Sequence, residues 1–217
     1  MIKNITFDLD GTLIDSFRTI YKTTVRSLAY LNIFNRIDEN EFYKLIGYHF
    51  KDIFKQLEIP VQDFNEFITI YKKFYFDYIN DSIVYNGLID VFEFLNEENI
   101  LVSLLTTKAQ DQADKIIDYF NLRKYFSIVM GRRDGVADKP SAEPLLIISK
   151  QLNVKPGNIL MVGDTELDIR CGKNAGTKTC GCLFGYRSKE ILMKENPDFL
   201  INSIGEIIKV VRNESAL

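Results

Sequence analysis

From about Ile100 onward, short apolar runs alternate with segments of helical periodicity, and this alternation restricts the possible folds more than any other feature. The runs predicted as strands are Leu101–Thr106, Ser127–Met130, Ile159–Val162 and Lys178–Cys182. The predicted helices are Asn86–Asn99, Gln110–Phe120, Ala142–Leu152 and Thr165–Ala175. Near-continuous apolar strands joined by helices are typical of parallel sheets that are covered on both faces. With a further strand at Ile2–Phe7, the pattern predicts an α/β protein with a Rossmann-like parallel sheet.

Residues 16–82 interrupt this alternation, because no clear strand pattern occurs there. Aromatic and aliphatic side chains recur instead at helical spacing, as in Phe64, Phe67, Ile68 and Tyr71. Packing between helices explains such a stripe better than ligand binding does. We therefore predict an all-helical domain at residues 16–82, inserted into an α/β core domain formed by residues 1–15 and 83–217.

The bulk properties favour a soluble globular protein. The chain has 217 residues, is 46% hydrophobic and carries a formal net charge of -3, so it has no basic footprint for nucleic acid or an anionic membrane. No apolar run approaches the roughly 20 residues that span a bilayer, and Asp8 and Asp10 interrupt any signal sequence. The odd set of cysteines, Cys171, Cys180 and Cys182, indicates reduced thiols and a cytoplasmic location. The sequence is compatible with a monomer or a dimer.

The first predicted strand stops abruptly in two carboxylates, Asp8 and Asp10, followed by Gly11. Side chains two residues apart in an extended segment point the same way, so both acids are expected to face one small space. Two such anions repel each other and are costly to desolvate unless a cation or a shared proton compensates them. An Asx turn that closes the strand is the structural alternative. The pair therefore indicates chemistry at this strand end.

Four polar elements follow predicted strands or precede a helix at the same edge of the sheet. They are Asp8–Thr12, Thr106–Lys108, Lys139–Pro140 and Gly163–Asp168. Open parallel sheets bind their ligands at the carboxyl ends of the strands. Together the four elements offer a carboxylate that could act as a nucleophile, a second acid, a hydroxyl, a cation and two further carboxylates.

The order and spacing of these four motifs resemble the haloacid dehalogenase superfamily of phosphotransferases. More narrowly, they resemble its phosphoglycolate-phosphatase-like branch, in which a helical cap domain is inserted after the first motif. The resemblance covers essentially the whole chain. It implies a Mg²⁺-dependent phosphatase that hydrolyses a small phosphomonoester (phosphoglycolate-like, a sugar phosphate or a nucleotide phosphate) or pyrophosphate. The reaction is implied to pass through an aspartyl-phosphate.

The same resemblance implies roles for the acidic residues. Asp8 is implied to be the nucleophile, and Asp10 the general acid and base. The metal is implied to be bound by Asp8, Asp164 and the backbone carbonyl of Asp10. Asp168 is implied to support the metal shell or to hold Lys139, although an acid in the first turn of a helix is favoured by the helix dipole alone.

A second group of residues is implied to bind the phosphoryl group. Lys139 is implied to pair with both the phosphate and Asp8, so it counts among the catalytic residues. Thr106, Thr107 and Gly11 are implied to contact the phosphoryl oxygens. Thr106 is also expected to cap a helix that begins near Lys108. Lys139 taken alone would be an ordinary surface lysine, so its role depends on the family pattern.

Three residues of the predicted helical domain are candidates for substrate specificity. The segment around His49 and Lys51 resembles the cap loop that contacts substrate in this branch, and Arg18 lies one turn into the first predicted helix. An incidental histidine and solvated basic side chains are the alternatives. The chain also departs from the family pattern in two places, since Asp138 stands where many relatives have a second lysine and Thr107 where they have asparagine.

Three other functions share parts of this pattern. A β-phosphoglucomutase-like phosphotransferase has all four motifs and differs in its cap residues, so isomerisation measured against phosphate release would separate the two. The 2-haloacid dehalogenases have no acid at the position of Asp10 and need no metal. A receiver domain that accepts phosphate on an aspartate has its acceptor on a later strand and no helical cap. The second acid, Asp10, therefore favours the phosphatase over the dehalogenase and the receiver domain, and the mutase stays an alternative.

Overall fold

Six parallel strands form the large sheet of the computed structural model, which describes residues 1–215. The strands, in chain order, are β1 (Asn4–Phe7), β2 (Ile14–Asp15), β3 (Ile83–Val84), β4 (Leu101–Ala109), β5 (Ile128–Arg132), β6 (Ile159–Gly163), β7 (Lys178–Cys182) and β8 (Phe199–Ile201). The large sheet has the order β5-β4-β1-β6-β7-β8, and β2 pairs with β3 in a separate two-stranded sheet. The α/β fold with a parallel sheet, as predicted from the alternating pattern, is confirmed.

The helices have buried side chains at helical spacing, as the sequence pattern predicts. They are α1 (Phe17–Tyr30), α2 (Glu39–Tyr43), α3 (Phe50–Gln56), α4 (Phe64–Tyr75), α5 (Leu88–Glu97), α6 (Gln110–Tyr119), α7 (Glu143–Leu152), α8 (Glu166–Ala175), α9 (Lys189–Lys194) and α10 (Ile207–Ser215). In α5, for example, the buried residues are Leu88, Val91, Phe92 and Leu95. Among the residues that the structure describes, no helix is long and apolar enough to cross a bilayer.

The chain divides into two compact units. Met1–Leu13 and the chain from Val84 onward form the first unit, which contains the large sheet, and Ile14–Ile83 forms the second. The second unit contains α1 to α4. Its aromatic rings pack against one another, with ring centroids 4.7 Å apart for Phe50 and Tyr71 and 4.7 Å apart for Phe54 and Phe67. These contacts show that the aromatic stripe of the sequence packs the interior of the unit.

The structure corrects the expectation that Thr106 caps a helix beginning near Lys108. β4 continues to Ala109 through a register shift against β5, so the backbone stays extended past Thr106. Helix α6 begins only at Gln110, and its N-cap residue Ala109 makes no side-chain capping bond. The Thr106 hydroxyl instead accepts a hydrogen bond of 3.3 Å from the Lys108 N–H. Strand β8 was also missed from sequence, because three residues are too few for a periodic pattern to identify.

The central strand β1 carries two buried polar side chains in addition to its apolar ones. Asn4 donates through Nδ2 to the Ser103 hydroxyl at 2.9 Å and to the Leu101 carbonyl at 3.0 Å. Thr6 donates to the Asn4 side-chain oxygen at 2.8 Å. Because a buried polar group left without partners is costly, these bonds specify how β1 is aligned with β4. The alignment positions the residues that follow both strands.

Helix α8 lies close against β6 and β7 because it presents a glycine to them. A Cβ atom on Gly172 would lie 2.6 Å from Thr179 Cγ2 and 3.0 Å from Met161 Cβ. Both of these neighbours are fully buried. The close contact determines where the first turn of α8 lies relative to the end of β6.

We expect the substitution Gly172→Ala to lower the free energy of unfolding by about 1–3 kcal/mol, because the added methyl group overpacks the contact between helix and sheet. Gly157→Ala is the matched control, since a Cβ there has no neighbour within 4 Å, and we expect a change of at most about 0.5 kcal/mol. Urea denaturation of both variants measures the difference. Equal stabilities would contradict this account of α8 packing.

Candidate active site

The acidic pair follows the central strand of the sheet, so strands on both sides contribute to its surroundings. Phe7, the last residue of β1, is in register with Leu104 of β4 and Val162 of β6. The Asp8 N–H donates a hydrogen bond of 2.9 Å to the Val162 carbonyl. Because parallel strands end at the same edge, Asp8 emerges beside Asp164, which directly follows β6.

A buried lysine bridges two of the acidic residues. Lys139 Nζ lies 2.8 Å from Asp8 Oδ1 and 2.5 Å from Asp168 Oδ1. The exposed fraction of the Lys139 side chain is 3%, so little water screens these contacts. Lys139 therefore forms ion pairs with both Asp8 and Asp168.

Asp168 is oriented by the start of helix α8. Thr165 is the N-cap residue, and Asp168 occupies the third helical position, so the two form a capping box. Asp168 Oδ2 accepts hydrogen bonds from the Thr165 N–H at 3.0 Å and from the Thr165 hydroxyl at 2.7 Å. The other oxygen, Oδ1, accepts a hydrogen bond from Lys139. Both oxygens of Asp168 are therefore engaged, and the capping box holds Asp168 in contact with the lysine.

Asp164 is held by two further loops of the same unit. Its Oδ1 accepts a hydrogen bond of 3.1 Å from the Thr12 hydroxyl, and its Oδ2 accepts one of 2.7 Å from the Tyr186 N–H. The backbone approaches it at two glycines, because a Cβ on Gly11 or on Gly185 would clash with the Asp164 side chain. Gly11 also has a φ of 78°, which favours glycine.

A buried ion pair lies next to this arrangement. Arg187 Nε donates a hydrogen bond of 2.9 Å to Glu166 Oε2, and both side chains are less than a tenth exposed. Arg187 follows Tyr186 in the loop after β7, and Glu166 begins α8. The pair therefore ties together the two segments that hold Asp164 and Asp168.

Burial and like charges shift the pKa values of these groups. Burial, with Asp168 and Asp10 adding to it, raises the pKa of Asp8 from 3.8 to about 7, although Lys139 opposes the shift. Burial and the neighbouring Asp8 and Asp168 also raise the pKa of Asp164. Burial alone would lower the pKa of Lys139, but Asp168 and Asp8 outweigh it and hold that pKa above its ordinary value. The lysine therefore stays charged, and one cation does not offset all the carboxylates.

The cluster can hold a hard divalent cation. Ligand oxygens of Asp8, Asp164 and Asp168 lie within 4.8 Å of one another, and all three residues are buried. Carboxylate oxygens are the ligands that Mg²⁺ prefers. Hydrogen bonding does not single out two of the three, because both oxygens of Asp164 and both oxygens of Asp168 already accept hydrogen bonds. Binding of the ion by Asp8 and Asp164 stays a prediction. The raised pKa values also favour a cation, which would stabilise the ionised forms.

Asp10 is placed differently from the other acids. Its Oδ2 lies 3.1 Å from Lys108 Nζ, with side-chain exposures of 11% for Asp10 and 9% for Lys108. Its carboxylate is not part of the acidic cluster, so a contribution to metal binding through its backbone carbonyl stays a prediction. Thr106 is buried and Thr107 half-buried next to Lys108 on β4.

The three candidates for substrate specificity all belong to the second unit. Arg18 is exposed on α1. His49 is half-buried at the N-cap position of α3. Lys51 is exposed on the same helix, with its ammonium 5.1 Å from the centroid of the Phe64 ring. Contact between any of these side chains and a substrate stays a prediction.

Several residues of the site were missed from sequence. Lys108 contacts Asp10. Asp164 accepts hydrogen bonds from Thr12 and from the Tyr186 backbone, and Glu166 accepts one from Arg187. Lys108 and Thr12 lie within motifs already recognised, so their position in the chain was an available signal. The segment around Tyr186 follows a predicted strand but contains no acid or nucleophile, so the sequence offered no local signal for it.

Comparison with known proteins gives one consistent result. The sequence profile of the family described as haloacid dehalogenase-like hydrolase matches residues 5–182. Pyrophosphatase PpaX of Bacillus cereus is 31% identical over 216 residues, covering 98% of this chain and 97% of that protein. Phosphoglycolate phosphatase of Aquifex aeolicus is 30% identical over 213 residues, covering 96% of each. A crystal structure described as a predicted phosphatase from Clostridium acetobutylicum has a TM-score of 0.85 and 26% identity, covering 98% of this chain and 100% of that one.

The pKa of Asp8 leads to a prediction about stability in the absence of metal. Asp8 titrates near 3.8 when unfolded and near 7 when folded, so the folded state binds more protons between these pH values. Its contribution to stability is therefore fully present below about pH 4 and is lost as the pH rises to about 7. With EDTA present, we expect the stability of Asp8→Asn relative to the wild type to increase over this range, by about 4 kcal/mol at most.

Denaturant unfolding of the wild type and Asp8→Asn at several pH values between 4 and 8 measures this difference. The comparison removes most of the contribution of other carboxylates, because both proteins contain them. Parallel pH dependences for the two proteins would contradict a raised pKa at Asp8.

Proposed function

The chain belongs to the haloacid dehalogenase-like hydrolase family, and we propose that it is a Mg²⁺-dependent phosphatase with Asp8 as its nucleophile. Its proposed substrate is pyrophosphate or a small phosphomonoester, such as phosphoglycolate, a sugar phosphate or a nucleotide phosphate. Relatives that carry the names pyrophosphatase and phosphoglycolate phosphatase support this class of substrate.

One observation carries the proposal. Asp8 is a buried carboxylate at the end of the central strand, and a buried ammonium lies 2.8 Å from one of its oxygens. Lys139, which Asp168 also contacts, holds this carboxylate in one orientation, as an in-line nucleophile requires. A purely structural ion pair would not need Asp164 nearby, since the charge of Asp8 adds to burial in raising the pKa of Asp164.

In the first half-reaction, a carboxylate oxygen of Asp8 attacks the phosphorus atom of the substrate. The bond between phosphorus and the leaving oxygen breaks, and Asp10 gives a proton to that oxygen. The product is an aspartyl-phosphate on Asp8. Thr106, Thr107 and the backbone at Gly11 hold the phosphoryl oxygens through this step, and Lys139 offsets their charge.

In the second half-reaction, water attacks the phosphorus atom of the aspartyl-phosphate. Asp10, now ionised, takes a proton from this water, and the bond between phosphorus and the Asp8 oxygen breaks. Inorganic phosphate leaves, and Asp8 and Asp10 return to their starting forms. One carboxyl group thus serves as the acid in the first step and as the base in the second.

The residues present fit a bound Mg²⁺ ion, with Asp8 and Asp164 offering carboxylate oxygens and Asp10 its carbonyl. When bound, Mg²⁺ neutralises charge between the carboxylates and the phosphoryl group. Asp168 contributes indirectly, because its bonds to Lys139 and to Thr165 keep the lysine on Asp8. The bond from Tyr186 orients Asp164 in a similar way.

We expect the wild type with Mg²⁺ to release phosphate from at least one member of a panel of phosphoglycolate, pyrophosphate, hexose phosphates and nucleoside monophosphates. Asp8→Asn should lower kcat by at least about 1000-fold, because an amide cannot form the aspartyl-phosphate. Phosphate release measured with and without EDTA tests both points. Asp90→Asn is the matched control, since Asp90 is exposed on α5, and it should keep wild-type activity.

A wild-type protein that stays inactive across the panel with Mg²⁺ would overturn the phosphatase proposal. Retained activity in Asp8→Asn would overturn the assignment of the nucleophile. Conversion of a hexose phosphate to its isomer without release of phosphate would favour a β-phosphoglucomutase-like reaction on the same site.

A further inference from the structure

A second lysine, Lys108, lies at the proposed acid and base. Its Nζ is 3.1 Å from Asp10 Oδ2, and its side chain is only 9% exposed. Lys108 follows Thr106 and Thr107 on β4, so the strand that carries the proposed phosphate-binding hydroxyls also carries this cation. The proposed reaction does not use it.

The two buried lysines of the site contact different acids. Lys139 contacts Asp8 and Asp168, which lie on the side of the nucleophile. Lys108 contacts Asp10, the residue proposed to give its proton to the departing oxygen. In the proposed reaction, Lys108 therefore lies on the side of the leaving group, and Lys139 lies at the attacking carboxylate.

We propose that Lys108 is a specificity-determining residue that favours substrates whose leaving group carries a negative charge. The inference rests on the proposed phosphatase function. A carboxylate or a phosphate next to the departing oxygen provides this chemistry, and a neutral alcohol does not. An ammonium has three N–H donors, so its bond to Asp10 does not prevent a second bond to an anionic leaving group.

The surroundings strengthen this preference. Because water is largely excluded around Lys108, its charge attracts a nearby anion more strongly than a surface lysine would. Its unbranched stem also lets the ammonium adjust its position while it stays beside Asp10. Arg132, at the end of β5, is in register with Ala109, which follows Lys108, and so adds a second cation to this edge of the sheet.

Matched pairs of substrates test the proposal. Phosphoglycolate is compared with 2-hydroxyethyl phosphate, whose leaving group differs mainly in charge. Pyrophosphate is compared with methyl phosphate, and for this pair only the change caused by the substitution is diagnostic, because phosphate is also a better leaving group than methoxide. The wild type should prefer the charged member of at least one pair. Lys108→Met should lower kcat/KM for that member about 10- to 100-fold more than for its neutral partner, because any effect on Asp10 is common to both substrates. Lys108→Arg keeps the positive charge and should keep the preference.

Each outcome is informative. A loss confined to one pair identifies the anion, carboxylate or phosphate, that Lys108 recognises. An equal loss on charged and neutral substrates would show that Lys108 only orients Asp10, and it would overturn the specificity proposal. If Lys108→Met does not fold by circular dichroism, the wild-type preference for phosphoglycolate over 2-hydroxyethyl phosphate decides alone, and its absence overturns the proposal. A wild type that hydrolyses none of the four compounds overturns the phosphatase function itself.

Discussion

The site depends on one buried cation shared between two carboxylates. Lys139 lies within hydrogen-bonding distance of both Asp8 and Asp168, and all three are shielded from water. Breaking such a pair is strongly destabilising, because it leaves an uncompensated buried charge. The lysine therefore holds the loop before α7, the end of β1 and the start of α8 in one arrangement. Asp164 adds negative charge to this arrangement, which the single lysine does not offset.

That excess of negative charge costs stability and at the same time favours the binding of a cation. A protein that needed only stability would be expected to have a neutral or apolar group in place of Asp164. Here the raised pKa values of Asp8 and Asp164 mark a place that a divalent cation would stabilise. The glycines at positions 11 and 185 bring backbone up to Asp164, so its orientation is determined by the surrounding loops. The acidic cluster can therefore hold a divalent cation.

The two lysines contact carboxylates that have different proposed roles. One lies at the carboxylate proposed to attack phosphorus, and the other at the carboxylate proposed to move protons. In the proposed reaction the attacked phosphoryl group is common to all substrates, whereas the leaving group differs from one substrate to another. A charge placed at the leaving group is therefore a physical means by which one core could distinguish substrates, in addition to any contribution from the second unit.

Local sequence patterns were sufficient for the α/β class, the parallel sheet and the acidic motif after β1, because periodicity and turn chemistry are properties of neighbouring residues. They were not sufficient for β8, for the extension of β4 to Ala109, or for the contacts of Lys108 and Tyr186. These features depend on strand register and on loops far apart in the chain. The sequence by itself determined which chemical groups stand at the strand ends. Only the tertiary structure decided which carboxylate each lysine contacts, because that depends on distances across the sheet.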